Sequence, residues 1–332
     1  MINTFLYIIL LFSCTALTAQ HKYSEHKEIL LLMGSRFELT AVAETKNKAR
    51  TAVDHGILEV KRIEKLISSW DSSSQTSEIN RMAGISPVKV DEELFDLIHR
   101  AGKVSKLTHG AFDLSFAGID WLYQFDKKEY PLPNEEERRS SVSKIDYKEI
   151  VLNSLDTTVF LSLPGSKISF GAIGKGYAAN RAKDLMSKMD GVIGGLVNAS
   201  GDLITWGGNG IDDHWKIQIS DPGNLNNSFG WLNLKDMAIV TSGDYEKYFT
   251  SKGTRYSHII DPRTGMPTTG IKSVTIICPD AELADALATS VFVLGKAAGL
   301  ELVNKLKDIE GLVIDDENEV YYSRNLKLRE YE

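Results

Sequence analysis

Asp285 and Thr289, four residues apart in Ala284-Asp285-Ala286-Leu287-Ala288-Thr289, could hold a metal. The apolar run around them, residues 281–294, has a helical pattern, so this spacing puts a carboxylate and a hydroxyl on one face about a turn apart. Both are hard oxygen donors of the kind magnesium takes while leaving positions open for phosphate oxygens. A mid-helix acid satisfied by its neighbours is the competing explanation. In Ser169-Phe170-Gly171-Ala172-Ile173-Gly174-Lys175-Gly176-Tyr177-Ala178, a strand end runs through small residues into a helix. Free amides at a helix start favour an anion, and Lys175 adds positive charge. The segment matches neither G-x-x-x-x-G-K-[ST] nor G-x-G-x-x-G, so the folds built on those loops gain no support, and close helix packing also explains its glycines.

Two further turns carry titratable groups. In Tyr256-Ser257-His258-Ile259-Ile260-Asp261-Pro262-Arg263-Thr264-Gly265, His258 is a candidate base with Asp261 or Arg263 as its support, against the plainer role of a structural histidine in a strand. Thr241-Ser242-Gly243-Asp244-Tyr245, after Ala238-Ile239-Val240, is a tight polar turn that carries Asp244. No Ser-His-Asp order with a nucleophile elbow is present, and no Cys or His cluster has zinc spacing.

The elements that must position these groups follow from periodicity. Ala49, Val53, Ile57, Val60, Ile63 and Ile67 recur at steps of three and four, as do Leu94, Leu97, Ile98, Ala101 and Val104 after a capping Asp91. Helices are expected over 46–67, 91–107, 174–189 and 281–294. Alternation predicts strands at 215–219, 274–278 and 319–322, and residues 134–139 form a solvated loop entering a helix. Helices and strands mix without a βαβ rhythm, so the fold class is α+β.

The 332 residues, 42% hydrophobic and 25% charged, describe an ordinary globular chain. Net charge is −7 with no basic block, which argues against a nucleic-acid partner. The apolar run Phe5 to Phe12 falls short of the ~20 residues that span a bilayer and reads as an export signal over residues 1–19, with an uncleaved N-terminal anchor as the alternative because no Lys or Arg precedes the run. Leu11-Phe12-Ser13-Cys14 is similar to a lipobox, and cleavage after Ala19 is the alternative; either leads to an exported chain, periplasmic and, by the first route, anchored to the membrane by lipid. Residues 20–28 form a polar, loose spacer before a single domain over 29–332. With Cys14 lost or lipidated, Cys278 alone remains, on the face of Val274 and Ile276, as a buried structural thiol.

Taken together these segments resemble the ApbE-type FAD:protein FMN transferases. The resemblance runs from Met33-Gly34-Ser35 to near the C-terminus. It includes Ile67-Ser68-Ser69-Trp70, Ser77-Glu78-Ile79-Asn80, Gly110-Ala111-Phe112-Asp113, Val197-Asn198-Ala199-Ser200-Gly201-Asp202 and the four segments above. It implies a T-fold-related domain with mainly antiparallel sheets and packed helices. It further implies an enzyme that uses magnesium to place FMN from FAD on a Thr or Ser of an exported flavoprotein, releasing AMP. Asp285, Thr289 and the main-chain oxygen of Ala172 would bind the metal. Met33, Trp70, Ala111, Phe112, Asp113, Lys175 and Ile260 would line the FAD site, with His258 or Asp244 as base. The acceptors implied are subunits of respiratory quinone or ferredoxin oxidoreductases. Ser169 and Ser200 depart from the Asp and Gly usual there. An FAD pyrophosphatase and a flavin-storage protein are the rival readings.

Overall fold

The computed structural model describes residues 22–328 except 126, 222, 223 and 246, and leaves aside the side chains of 120, 121 and 220–228. The residues of the signal, Cys14 and Ala19 among them, lie outside the described part.

An eight-stranded sheet is the centre of the fold. Its strands are β1 (Ser24–Leu32), β2 (Ser35–Ala43), β3 (Val192–Ala199), β4 (Asp202–Gly207), β5 (Ala238–Gly243), β6 (Ile271–Cys278), β7 (Glu310–Asp315) and β8 (Val320–Tyr322). They lie side by side in chain order, and every neighbouring pair is antiparallel. The sheet is therefore a meander, some of whose connections have been expanded, and the expansions carry the candidate site residues other than Met33, which sits in the tight β1–β2 turn.

Seven helices are described: α1 (Lys46–Ile67), α2 (Gln75–Arg81), α3 (Glu92–Leu107), α4 (Glu135–Val142), α5 (Gly174–Met186), α6 (Ala281–Leu294) and α7 (Lys296–Val303). One face of the sheet is covered by α1 against β1 and β2, α5 against β3 and β4, α6 against β5 and β6, and α7 against β7. Period-two alternation divides the strands: Val240 and Ile276 enter the helical core, while Ile239 and Ile277 face the other side. There the ribbon Trp215–Asp221 and Asn224–Leu234 buries them with Ile219 and Leu234. A third cluster joins Ile119, Leu122 and Tyr123 to Phe249 and Ile260, beside the hairpin Tyr248–Ser251 and Thr254–Ser257.

Helix α1 occupies the expected residues, capped by the Thr45 hydroxyl, which accepts from Lys48 N at 3.3 Å. Asp91 holds the N-cap position of α3 but its side chain makes no capping bond. The expected 174–189 helix ends at Met186. The charged run after Asn134 is itself α4, closed by a capping box between Asn134 and Glu137. The largest correction is at the start: Ser24 to Glu28 is not a loose spacer but half of β1, paired along β2. Cys278 is buried, donates to the Asp280 carbonyl at 3.1 Å, and has its thiol pushed up to about 12 by burial, as an inert structural cysteine should. No described helix is long and apolar enough to cross a membrane.

Candidate active site

The site begins where α5 crosses α6. A Cβ on Gly176 would lie 2.1 Å from the Ala281 carbonyl oxygen, so only glycine lets the helices approach this closely. That approach lets Asp285 Oδ2 accept from Gly176 N at 3.0 Å, placing a buried carboxylate at the positive end of α5. One turn on, Thr289 Oγ1 stands 3.5 Å from Ser242 Oγ on β5. Asp285, Thr289 and Ala172 line one cleft of about 270 Å³. A carboxylate, a hydroxyl and a peptide carbonyl are an all-oxygen set, which fits a hard cation such as magnesium. Among the described residues no cluster of three or more His, Cys, Asp or Glu could hold a metal, so any metal here depends on this mixed set.

Lys175, in the first turn of α5, pairs with Asp202 at 2.7 Å. The cation that the sequence offers to an anion is thus already partnered by a buried carboxylate. Asp202 opens β4 after a turn in which Asn198 Oδ1 accepts from Gly201 N at 2.9 Å. Ser200 takes φ +57 there, a left-handed conformation that costs a non-glycine residue about 1 kcal/mol. Ser169 Oγ accepts from Gly171 N at 3.3 Å, so it braces the glycine turn and does not line the cleft.

Ala111, Phe112 and Asp113 form another wall, delivered by the end of α3. Thr108 Oγ1 accepts from Phe112 N at 3.1 Å to shape that exit. Asp113 accepts from Ser115 N and Oγ at 2.8 and 2.6 Å and from Tyr147 N at 2.9 Å. Burial outweighs these bonds and pushes its carboxyl up from the ordinary carboxylate range. Its bonds make Asp113 a brace of the wall as well as part of its surface. Asn80 does similar work at a distance, accepting from Ile168 N at 2.8 Å and donating to its carbonyl at 3.0 Å, just before the glycine turn.

His258 and Ile260 close the far side. His258 Nδ1 lies 3.2 Å from the Lys247 carbonyl oxygen. A carbonyl only accepts, so Nδ1 carries the hydrogen and the neutral ring has its lone pair on Nε2, the arrangement a base requires. Asp261 and Arg263, the expected supports, pair with each other at 2.8 Å. Asp244 does not line the cleft; it is buried against Arg255, 3.1 Å from Nε. Burial raises its carboxyl to about 6 despite that guanidinium. Met33 and Trp70 also stand outside the lining: Met33 packs beside Gly174 at φ +49, and Trp70, past the end of α1, is 91% exposed.

Sequence reasoning did not select Asp202, Ser242, Phe116 or Lys247 as site residues, yet all four line the cleft. Asp202 had a signal, as the last residue of the quoted Asn198 segment. Lys247 had none, since its part rests on a carbonyl brought to His258 by tertiary packing.

The ApbE family model matches residues 33–313. An FAD:protein FMN transferase of Klebsiella pneumoniae is 31% identical over 81% of this chain and 84% of its own length. One from Treponema pallidum is 29% identical over 84% and 83%. The crystal structure of the ApbE protein of Thermotoga maritima superposes with a TM-score of 0.83 at 31% identity, covering 93% of this chain and all (100%) of that one. The apo flavinyl transferase ApbE of Pseudomonas stutzeri shares the fold at TM-score 0.80, 24% identity, 91% of this chain and 95% of its own. In sequence and in three-dimensional fold, the chain belongs to the ApbE family.

Proposed function

We propose that this enzyme transfers FMN from FAD to a Thr or Ser hydroxyl of an acceptor protein, with magnesium, and releases AMP. The relatives named as FAD:protein FMN transferases support the transferase reading. The observation that carries the finer one is that Asp285, Thr289, Ala172 and His258 line a single cleft. Asp285, Thr289 and the Ala172 carbonyl would hold the metal, whose contribution is to neutralise charge on the pyrophosphate. Ala111, Phe112 and Ile260 give the flavin nucleotide apolar walls, and Lys175 exchanges part of its bond with Asp202 for a phosphate oxygen. His258 Nε2 takes the proton of the acceptor hydroxyl as that oxygen bonds to the FMN phosphorus. The bond from this phosphorus to the bridging oxygen breaks, and AMP leaves with that oxygen.

The test is to incubate purified protein with FAD and magnesium, with and without an acceptor subunit of a respiratory quinone or ferredoxin oxidoreductase, and to measure AMP and protein-bound flavin. Flavin on the acceptor in step with AMP supports transfer. AMP without acceptor would make water the acceptor and the protein an FAD pyrophosphatase, and unchanged FAD in both arms would leave only a flavin-binding protein.

We also propose that the chain acts outside the cytoplasmic membrane after export. Cys14→Ser separates the routes: loss of acylation and of membrane attachment supports a lipid anchor, whereas unchanged release of soluble protein supports cleavage after Ala19.

A further inference from the structure

Helix α6 carries Asp285 and Thr289, yet its surroundings are almost wholly apolar. Apolar contacts are non-directional, so they bury a helix without fixing its rotation or height to the accuracy that metal ligands need. Besides the bond from Gly176 N to Asp285, the directional bonds to other helices stand at its first turn. Asn180 of α5 donates to the Asp280 carboxylate at 2.8 Å and accepts from Ala281 N at 3.0 Å. From α3, Arg100 grips Glu282 with two parallel bonds, Nε to Oε1 at 2.8 Å and Nη2 to Oε2 at 3.0 Å. The same guanidinium lies 5.6 Å from the centre of the Tyr177 ring on α5, and Tyr177 Oη donates to Glu93 of α3 at 2.6 Å.

We propose that the Arg100–Glu282 pair is a positioning device for the cleft, holding α6 at the rotation that brings Asp285 and Thr289 beside Ala172. Glu282 stands three residues before Asp285, one helical turn, so a displacement at the first is carried to the second by the rigid backbone between them. The other end of the strut is α3, whose exit forms the Ala111–Phe112–Asp113 wall. One pair therefore ties the oxygen-donor wall to the nucleotide wall. Stability alone is a poor account of it: Glu282 is buried, and burial pushes its carboxyl upward even against Arg100. With the Arg100 side chain 42% exposed, the ion pair itself contributes little to stability; what its fork adds is directional geometry.

This inference rests on the metal assignment proposed above, and the test separates the two. The magnesium midpoint for FAD binding would be read from flavin fluorescence without acceptor, together with the melting temperature and the kcat and KM for FAD. Glu282→Gln, which removes the charge and one acceptor oxygen, should raise the midpoint about tenfold, in the range typical of groups that orient metal ligands. Arg100→Lys, which keeps the charge but not the fork, should give a smaller shift in the same direction and guards against a Glu282 variant that does not fold. Asp285→Asn is the control. If it shifts the midpoint while both other variants keep the wild-type value, the pair is structural and the inference is overturned, even if melting temperatures fall. If Asp285→Asn leaves the midpoint unchanged, the metal assignment fails and the inference falls with it.

Discussion

The two sides of the cleft are built by different means. On one side the functional groups stand on long helices: Lys175, in the first turn of α5, pairs with Asp202 of β4, and Asp285 and Thr289 lie inside α6, where the buried Asp285 accepts from Gly176 N of α5. On the other side His258 and Ile260 come from short pieces, a four-residue strand pair and a two-residue one, linked by turns. The helical side holds fixed charge where a pyrophosphate would lie. The turn side holds a half-exposed imidazole beside the Lys247 carbonyl, where an incoming protein segment would need room. Rigid electrostatics on one wall and accessible proton chemistry on the other is the division that phosphoryl transfer to a macromolecule requires.

The sharpest way to break this comparison is at His258. His258→Gln should cut transfer by ~10²–10⁴-fold while FAD affinity stays near wild type, because the helical wall still holds the nucleotide. If FAD affinity collapses along with the rate, as read by parallel binding and kinetic measurements, His258 belongs to the binding wall and the division is wrong. Asp285→Asn attacks the other wall. It keeps volume and removes the charge, so transfer should fall by ~10²–10³-fold with a higher magnesium requirement and a native circular dichroism spectrum. Activity near wild type at limiting magnesium would remove Asp285 from the metal set. Thr289→Val should be milder, about tenfold, since a neutral ligand is replaceable by water.

The smallest effect concerns Asp244, which braces the turn side through Arg255 without entering the cleft. Its folded pKa of about 6 lies above the ordinary value of 3.8, so burying the charged form costs stability above pH 6, and that cost is lost as pH falls through 6 towards 4. Asp244→Asn should therefore raise the melting temperature by about 2–4 °C at pH 8, with the gain shrinking at pH 5. A gain independent of pH would show that the raised pKa is not the cause, and a steep loss of transfer with unchanged stability would return Asp244 to the list of bases.

What could be read from the chain directly was whatever depends on local geometry. The stripe from Ala49 to Ile67 and the apolar run from 281 to 294 became α1 and α6, because helical period is a property of neighbours in sequence. The same geometry put Asp285 and Thr289 a turn apart, and the alternation around Cys278 predicted its burial. Strand β1 was not legible: it is a sheet edge, with Glu25, Lys27, Ile29 and Leu31 exposed, so its composition looks like a spacer and only pairing with β2 makes it a strand. Met33 and Trp70, carried into the site by resemblance, stand outside the cleft lining, which no pattern of spacing forecasts. The pairs that orient the site, Lys175 with Asp202, Arg100 with Glu282 and His258 with the Lys247 carbonyl, were likewise decided by the tertiary structure. Arg100 and Glu282 are 182 residues apart, so nothing in their local sequence marks them as partners; they meet because α3 and α6 pack together, and packing is chosen by the whole core.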